Sequence, residues 1–257
     1  MAGIQAVKKR PRKTAGARVA VVRKSPPNAA AGKAADAALA ARKVAVPALA
    51  ELARARLEEM IVTLELAPGS VWSELQLSEM LGIGRTPVRE ALQRLQAEYL
   101  VKIMPRFGAQ VSEINVTQQL LLLDVRRVLE RLIAQDAARR ATPEERERLL
   151  AMADGLEALV EDGVLGFLRY YYDIKKFIAA CARNPFAANA IAPAQAMSRR
   201  FYFLHYRVAH DLPVAARHHA DVVRAIALGD EQRAGSAADR LMDYVVELTR
   251  ATVTQKL

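Results

Sequence analysis

Arg85, Thr86 and Arg89 stand at the start of a run in which Val88, Leu92 and Leu95 recur at helical spacing. The three apolar residues would face inward and leave Arg85, Thr86 and Arg89 on the opposite side, near the N-terminal end. An arginine there can make a bidentate contact to guanine O6 and N7, and a thymine methyl can pack on Thr86 or Pro87. This is the chemistry of reading bases in the major groove, where the first residues of a reading helix carry the contacts.

Such side chains need a frame, and the flanking residues supply one. Ser73 with Gln76 three residues on makes a capping box, so a short helix starts there, with Leu77, Met80 and Leu81 as its apolar face. Gly82-Ile83-Gly84 stops that helix, because glycine accepts a left-handed backbone. Thr86 reads as the N-cap of the next helix and Pro87 as its first residue. Leu100 to Met104 and Ala109 to Ser112 read as two short strands around the turn-rich tip Pro105-Arg106-Phe107-Gly108. Helix, turn, helix and hairpin together make a winged helix whose tip can reach the minor groove or a phosphate. Arg94 and Arg106 join Arg85, Thr86, Pro87 and Arg89 as candidate DNA-binding residues. Glu90 is expected to orient the neighbouring arginines.

Ahead of this stretch, Leu52, Leu57, Met60, Ile61 and Leu64 give a first helix, ended by Ala67-Pro68-Gly69-Ser70, with Arg54, Arg56, Glu58 and Glu59 on its solvated side. Trp72 is expected to be a packing anchor. With 257 residues, one or two domains are expected. The single cysteine, Cys181, excludes an internal disulfide framework and fits a reducing cytoplasm, where it reads as a small buried apolar residue. There is no apolar run of membrane-spanning length and no apolar core of a signal peptide, so no membrane partner is expected.

The net charge of +10 is concentrated in one place. Residues 1–45 hold 11 Lys and Arg against one acid, Asp36, and the remainder is balanced. That segment is rich in Ala, Lys, Arg and Pro and poor in large apolar residues, so a disordered basic tail is expected. Beside a DNA-binding domain it can neutralise phosphates and release counterions.

From Val116 to Leu257 the pattern is helical throughout. A long helix runs from Thr117 through Leu121, Val125, Val128, Leu132 and Ala137. Thr142-Pro143-Glu144-Glu145 starts a second with a capping box. Phe167 to Arg183 makes a third, closed by Asn184-Pro185. Ala187 to about Arg207 makes a fourth, Pro213 to Leu228 a fifth, and Glu231 to about Thr254 the last. The expected architecture is therefore mostly α. A winged helix-turn-helix with a small β-hairpin wing spans 46–115, and an all-α antiparallel helical bundle able to hold a ligand spans 116–257.

The residues now support a resemblance. Ala67-Pro68-Gly69, Leu77 to Gly82, Arg85-Thr86-Pro87-Val88-Arg89-Glu90-Ala91-Leu92 and Phe107-Gly108 resemble the DNA-binding domain of GntR-family bacterial transcription regulators. The resemblance implies DNA contacts from Arg85, Thr86, Arg89 and the wing Gly108. The chain departs from it at Gly84, where Ser or Thr is frequent, and at Tyr99, where Gly is usual. Asp124 to Glu130, Ala182-Arg183-Asn184-Pro185 and His219 to Asp230 resemble the FCD effector-binding domain of the FadR subfamily.

Such FCD domains usually place one Asp and three His around a divalent metal. Counted from Asn184-Pro185, the first two ligand positions are Tyr171 and Lys175 here, four residues apart on one helix face. An ungapped count forward from His219 gives Leu241 for the last, and a one-turn insertion gives Val245. His219 is the one retained ligand position. Asp173, brought in by a shifted register, would still leave too few donors, and His218 could help only if its helix turned. No metal or other cofactor is expected. Lys175 would instead place an ammonium where the family places a cation. With Tyr171, Arg126 and His219, it could hold a small carboxylate directly. The alternative is that Lys175 faces solvent and Tyr171 is core. The segment Arg199 to Tyr206, with its aromatic cluster, reads as a packed helix interface rather than a ligand cage, and His205 and His210 read as surface or core residues.

The resemblance implies a cytoplasmic transcription regulator, a homodimer on a near-palindromic operator, controlled by a small organic acid and acting for example as a repressor. A different class remains in view: a nucleoid-type architectural DNA-binding protein whose tail supplies the affinity and whose bundle only dimerises. No nucleophile–base motif, phosphate loop or full metal constellation points to an enzyme.

Overall fold

The computed structural model describes residues 47–158, 163–206 and 212–254. The basic tail of residues 1–45 and His210 lie outside them. The protein is mostly α, with a winged helix-turn-helix followed by an all-α bundle, and its buried apolar residues form two clusters that match these two parts.

Helix α1, residues 47–62, buries Ala50, Ala53, Leu57 and Ile61, spaced for one face of a helix. It stops short of Leu64, which takes a left-handed backbone (φ 62°) and packs against the bundle core. Helix α2 (Glu74–Leu81) opens on the expected capping box: Gln76 N donates to Ser73 Oγ at 3.2 Å and Ser73 N donates to Gln76 Oε1 at 2.9 Å. Gly82 closes it in the left-handed conformation, φ 63°.

Helix α3 (Arg85–Ala97) starts earlier than the sequence indicates. Its N-cap is Gly84, whose carbonyl accepts from Val88 N at 3.3 Å, and no side chain caps it. Thr86 is therefore inside the first turn rather than at the cap. Pro87 is tolerated there because the first four N–H groups of a helix lack internal partners in any case. Leu92 and Leu95 meet Leu57, Ile61 and Leu77 in the core of this part.

The wing is a three-stranded antiparallel sheet of β1 (Val71–Trp72), β2 (Val101–Met104) and β3 (Gly108–Val111), ordered β1-β3-β2. Strand β1 goes beyond the two-stranded hairpin of the sequence reading and pairs Trp72 with Ala109. Trp72 packs on the core, as expected, and its indole donates to Ser70 Oγ at 2.8 Å. Tyr99, where a glycine would be usual, holds φ 61°, a conformation that glycine adopts without strain. Gly108 holds φ 108°, and a Cβ there would come within 2.1 Å of the Trp72 carbonyl oxygen. Gly108→Ala is expected to cost about 2 kcal/mol or more, through backbone strain and displacement of β1. Denaturant unfolding measures it, and a loss under ~0.5 kcal/mol would contradict this packing.

Among the described residues six helices form the bundle: α4 (Val116–Arg140), α5 (Pro143–Ala158), α6 (Gly163–Cys181), α7 (Pro185–Tyr206), α8 (Leu212–Ala227) and α9 (Glu231–Thr254). Helix α4 starts at Val116, one residue before Thr117, and Asn115 caps it, accepting from Gln118 N at 3.1 Å. The Thr142 capping box on α5 is present. Asn184 caps α7 by accepting from Ala187 N at 3.1 Å. Helix α4 packs mainly on α9, and α5 on α8.

The inner face of α4 is not the one that its apolar period marks. Leu121, Val125, Val128 and Leu132 are 40–68% exposed, whereas Gln119, Leu123, Arg126, Glu130 and Ile133 face inward. A polar site in the bundle has drawn the polar face inside.

Helix α7 joins the two parts. Its Ala196 lies in the core of the winged helix, while Phe201 and Tyr202 lie in the core of the bundle.

Candidate functional site

Two sets of side chains stand out: an exposed basic one on the winged helix and a buried, charged one in the bundle. On α3, Arg85, Thr86 and Arg89 are exposed near the N-terminus, where the sequence placed them. Pro87 is buried beside Val88, so it belongs to the core and offers no face to a thymine methyl. Arg94 is exposed but lies toward the far end of α3 and pairs with Glu51 of α1 at 2.9 Å. Arg106 is exposed at the wing tip, beside Phe107, which is 70% exposed.

Arg89 makes a two-pronged ion pair that the sequence reading missed. Its Nε donates to Glu74 Oε1 at 2.8 Å and its Nη2 to Oε2 at 2.7 Å. Glu74, the first residue of α2, thus orients the arginine, a role the sequence assigned to Glu90. The Arg89 guanidinium holds the Glu74 carboxyl below its ordinary pKa, so it stays charged. The missed signal was across the turn: an acid at the start of one helix facing an arginine on the next.

In the bundle the structure brings together all four proposed effector residues. Arg126, Tyr171, Lys175 and His219 are each buried, and α4, α6 and α8 deliver them. Tyr171 lies with its ring centroid 4.0 Å from that of His219. The decisive partner is Glu130, one turn after Arg126. Its Oε1 accepts from Arg126 Nη2 at 2.9 Å and its Oε2 from Lys175 Nζ at 2.6 Å. Lys175 therefore does not face solvent. Gln195 of α7 approaches the same carboxylate at 3.4 Å.

Burial alone would raise the Glu130 pKa, but Lys175 and Arg126 outweigh it and hold the carboxyl at about 2. Glu130 likewise keeps Lys175 charged against the effect of burial. Two cations thus share one carboxylate.

Burial, then the Lys175 charge, drives the His219 pKa well below 6.5. His219 is neutral when folded and takes up a proton near pH 6.5 when unfolded. Its contribution to stability is therefore present above about pH 6.5 and is lost as pH falls below it, by up to ~1.4 kcal/mol per unit. His219→Gln is expected to flatten unfolding free energy between about pH 5 and 6.5. An unchanged slope would show that His219 titrates normally.

Around one small cavity, four buried side-chain atoms make no hydrogen bond among the described residues: Arg126 Nε, Tyr171 Oη, Arg199 Nε and His219 Nδ1. Phe167, Leu168, Gln195, Ser198, Tyr202 and Val245 complete the lining. Val245 thus faces the site, while Leu241 lies in the core. The cavity holds about 20 Å³, room for one water molecule. Gln195 lines both this cavity and an open cleft of about 590 Å³ between α1 and the α6–α7 pair, and Lys175 lines the cleft. The sequence reading took the segment that begins at Arg199 for packing and gave Arg199 no part in the site.

The donors do not fit the divalent metal that the resemblance implies. Among the described residues no three His, Cys, Asp or Glu converge. The ammonium of Lys175 occupies one ligand position, and Asp173 is exposed on the outer side of α6. His218 stacks on Tyr244 at 4.7 Å, away from the cavity. Cys181 is buried as expected, and burial pushes its thiol up to about 11.

Comparison with known proteins gives two family matches. Residues 49–111 match the model for bacterial regulatory proteins of the gntR family, and residues 121–244 match that of the FCD domain. Across 196 residues the chain is 25% identical to the HTH-type transcriptional repressor RspR of Escherichia coli K12, covering 76% of this chain and 84% of that protein. It is 47% identical over 60 residues to an HTH-type transcriptional regulator of Streptomyces ambofaciens. That match takes in 23% of this chain and a quarter (25%) of the relative. A match to an Agrobacterium vitis regulator, 32% identical over 36% of this chain, takes in about half (54%) of that protein. The fold is similar to that of E. coli McbR/YncC, with a TM-score of 0.71 at 19% identity, over 80% of this chain and 98% of the other. It is also similar to a GntR regulator from Rhodococcus, with a TM-score of 0.59 at 18% identity, over 79% and 98%.

Proposed function

Since the chain belongs to the GntR family of bacterial regulatory proteins and carries an FCD domain, it is a transcription regulator, and we propose that it binds a near-palindromic operator as a homodimer under the control of a small carboxylate held in the bundle. The four unpartnered buried atoms around one cavity carry the effector half of this reading. Buried polar atoms are nearly always bonded, and here they line a cavity at Arg126, which shares the Glu130 carboxylate with a second cation, Lys175. A small anion would satisfy both the donors and the charge, with no metal between. The cavity is too small for a carboxylate as it stands. Binding must therefore shift Gln195 or its neighbours, and a switch requires such a change between two packings. Arg85, Thr86, Arg89 and the wing Arg106 are the residues proposed to meet DNA.

The outer face of α4 supports the homodimer. Leu121, Val125, Val128 and Leu132 make an exposed stripe on one helix, and two copies could cover each other's stripe about a two-fold axis. Two reading helices would then meet two half-sites. Val125→Asp with Val128→Asp is expected to yield a monomer in sedimentation and to lower operator affinity by ~100-fold or more. A dimer that survives both changes would place the interface elsewhere.

The effector half is tested by titrating formate, acetate, lactate and succinate at constant ionic strength. The readouts are the unfolding temperature and the affinity for a duplex selected by the protein from a random pool. A coupling of about 1–3 kcal/mol, or 5- to 150-fold, is the expected scale for the true effector. If no carboxylate raises the unfolding temperature of the wild type, the bundle is not a carboxylate sensor.

A further inference from the structure

We propose that Arg199 couples the buried site to the DNA-binding domain: its guanidinium is a further ligand-binding group, and an anion that takes its Nε loosens its hold on Glu58. This deepens the effector reading above and rests on it. Arg199 has two sides. Its Nη2 donates to Glu58 Oε1 of α1, across the two parts of the protein, and both side chains are 5% exposed. Its Nε has no partner among the described residues, and Arg199 lines the cavity together with Arg126, Tyr171 and His219. The guanidinium is planar and rigid, so drawing its Nε toward a bound anion also moves Nη2.

The surroundings suit a movable contact. Tyr172 stacks under the guanidinium at 3.9 Å and would keep a face on it as it shifts. Glu58 also accepts from Arg54 at 2.6 Å, so it keeps a cation when Arg199 leaves. The next residue, Arg200, donates to the Ser112 and Glu113 carbonyls at 2.7 and 3.0 Å, just before α4. Three residues before Arg199, Ala196 sits in the winged-helix core. One turn of α7 therefore touches the cavity, α1 and the connection between the two parts, and a displacement there reaches the reading helix through α1. Nothing in this turn depends on a metal.

The test uses the full chain, the selected duplex, and formate, acetate and inorganic phosphate as probes. Without any anion, Glu58→Gln and Arg199→Gln should each shift operator affinity at least five-fold in the same direction. The double variant should shift it no further than the larger single. Arg199→Lys, a milder change that keeps the charge but not the fork, should fall between wild type and Arg199→Gln. With a probe that raises the unfolding temperature of the wild type, Glu58→Gln should keep that rise but lose the accompanying change in operator affinity. Arg199→Gln should lose most of both. Additive effects of the two substitutions, or an unchanged anion response of operator affinity in Glu58→Gln, overturn the inference. If no probe raises the wild-type unfolding temperature, the anion site itself fails. The ligand-free comparison then decides alone whether Arg199 and Glu58 set the placement of the reading helix.

Discussion

Replacing Arg89 by alanine is expected to abolish discrimination between the selected duplex and a scrambled one while leaving the fold intact. Arg89 is exposed at the N-terminal end of α3, and its partner is a single carboxylate, Glu74. On DNA the same two-pronged edge of the guanidinium matches guanine O6 and N7. A contact of that kind discriminates by roughly 5- to 150-fold per half-site, and the proposed homodimer would make it twice. Arg89→Lys should recover little, because an ammonium cannot make the forked contact. Glu74→Gln is the companion variant. It should weaken discrimination less than Arg89→Ala does, since the arginine remains but is no longer oriented before binding. Competition binding at fixed salt measures all three. Equal discrimination in wild type and Arg89→Ala would move the reading surface away from this residue.

Glu130→Ala is expected to be the most damaging single change in the bundle. It leaves the Arg126 and Lys175 charges buried with no carboxylate between them. Removing one partner of a buried ion pair costs about 3–5 kcal/mol, which lowers the unfolding temperature by roughly 6–20 °C in a chain of this size. Two further results should accompany it. Glu130→Gln combined with Lys175→Met, which removes charge from both sides, should recover much of the loss. Formate should stabilise Glu130→Ala more than wild type, because it can take the place of the missing carboxylate. The acid limb should follow the same group. The Glu130 contribution is present above its unfolded pKa, near 4.3, and is lost as pH falls toward about 2. A loss below ~1 kcal/mol in Glu130→Ala would mean that the two cations are hydrated rather than buried.

The legible parts of the sequence were those whose signals are local. Ser73 with Gln76, Thr142 with Glu145, and Gly82 each set an element boundary through their own backbone chemistry, and the structure places those boundaries accordingly. Arg126, Tyr171, Lys175 and His219 do converge, although their roles came from resemblance and helix counting. What escaped depended on packing between distant segments. Nothing near Glu130 in sequence announces that Lys175, 45 residues away, will pair with it. Glu58 and Arg199 meet across 141 residues. The apolar period of α4 was real but pointed outward, because a helix beside a polar site buries its polar face. Val71-Trp72 is too short to read as a strand until β3 lies beside it.

The most direct test of the central claim is the ratio of dissociation constants of the full chain for its selected duplex and for a scrambled duplex, measured at two salt concentrations. A sequence-specific regulator should show a ratio of about 10³ or more that persists as salt rises and both affinities fall. A ratio near one at both concentrations, with a steep salt dependence, would show that the protein binds phosphates rather than sequence. The claim that α3 reads an operator would then be wrong.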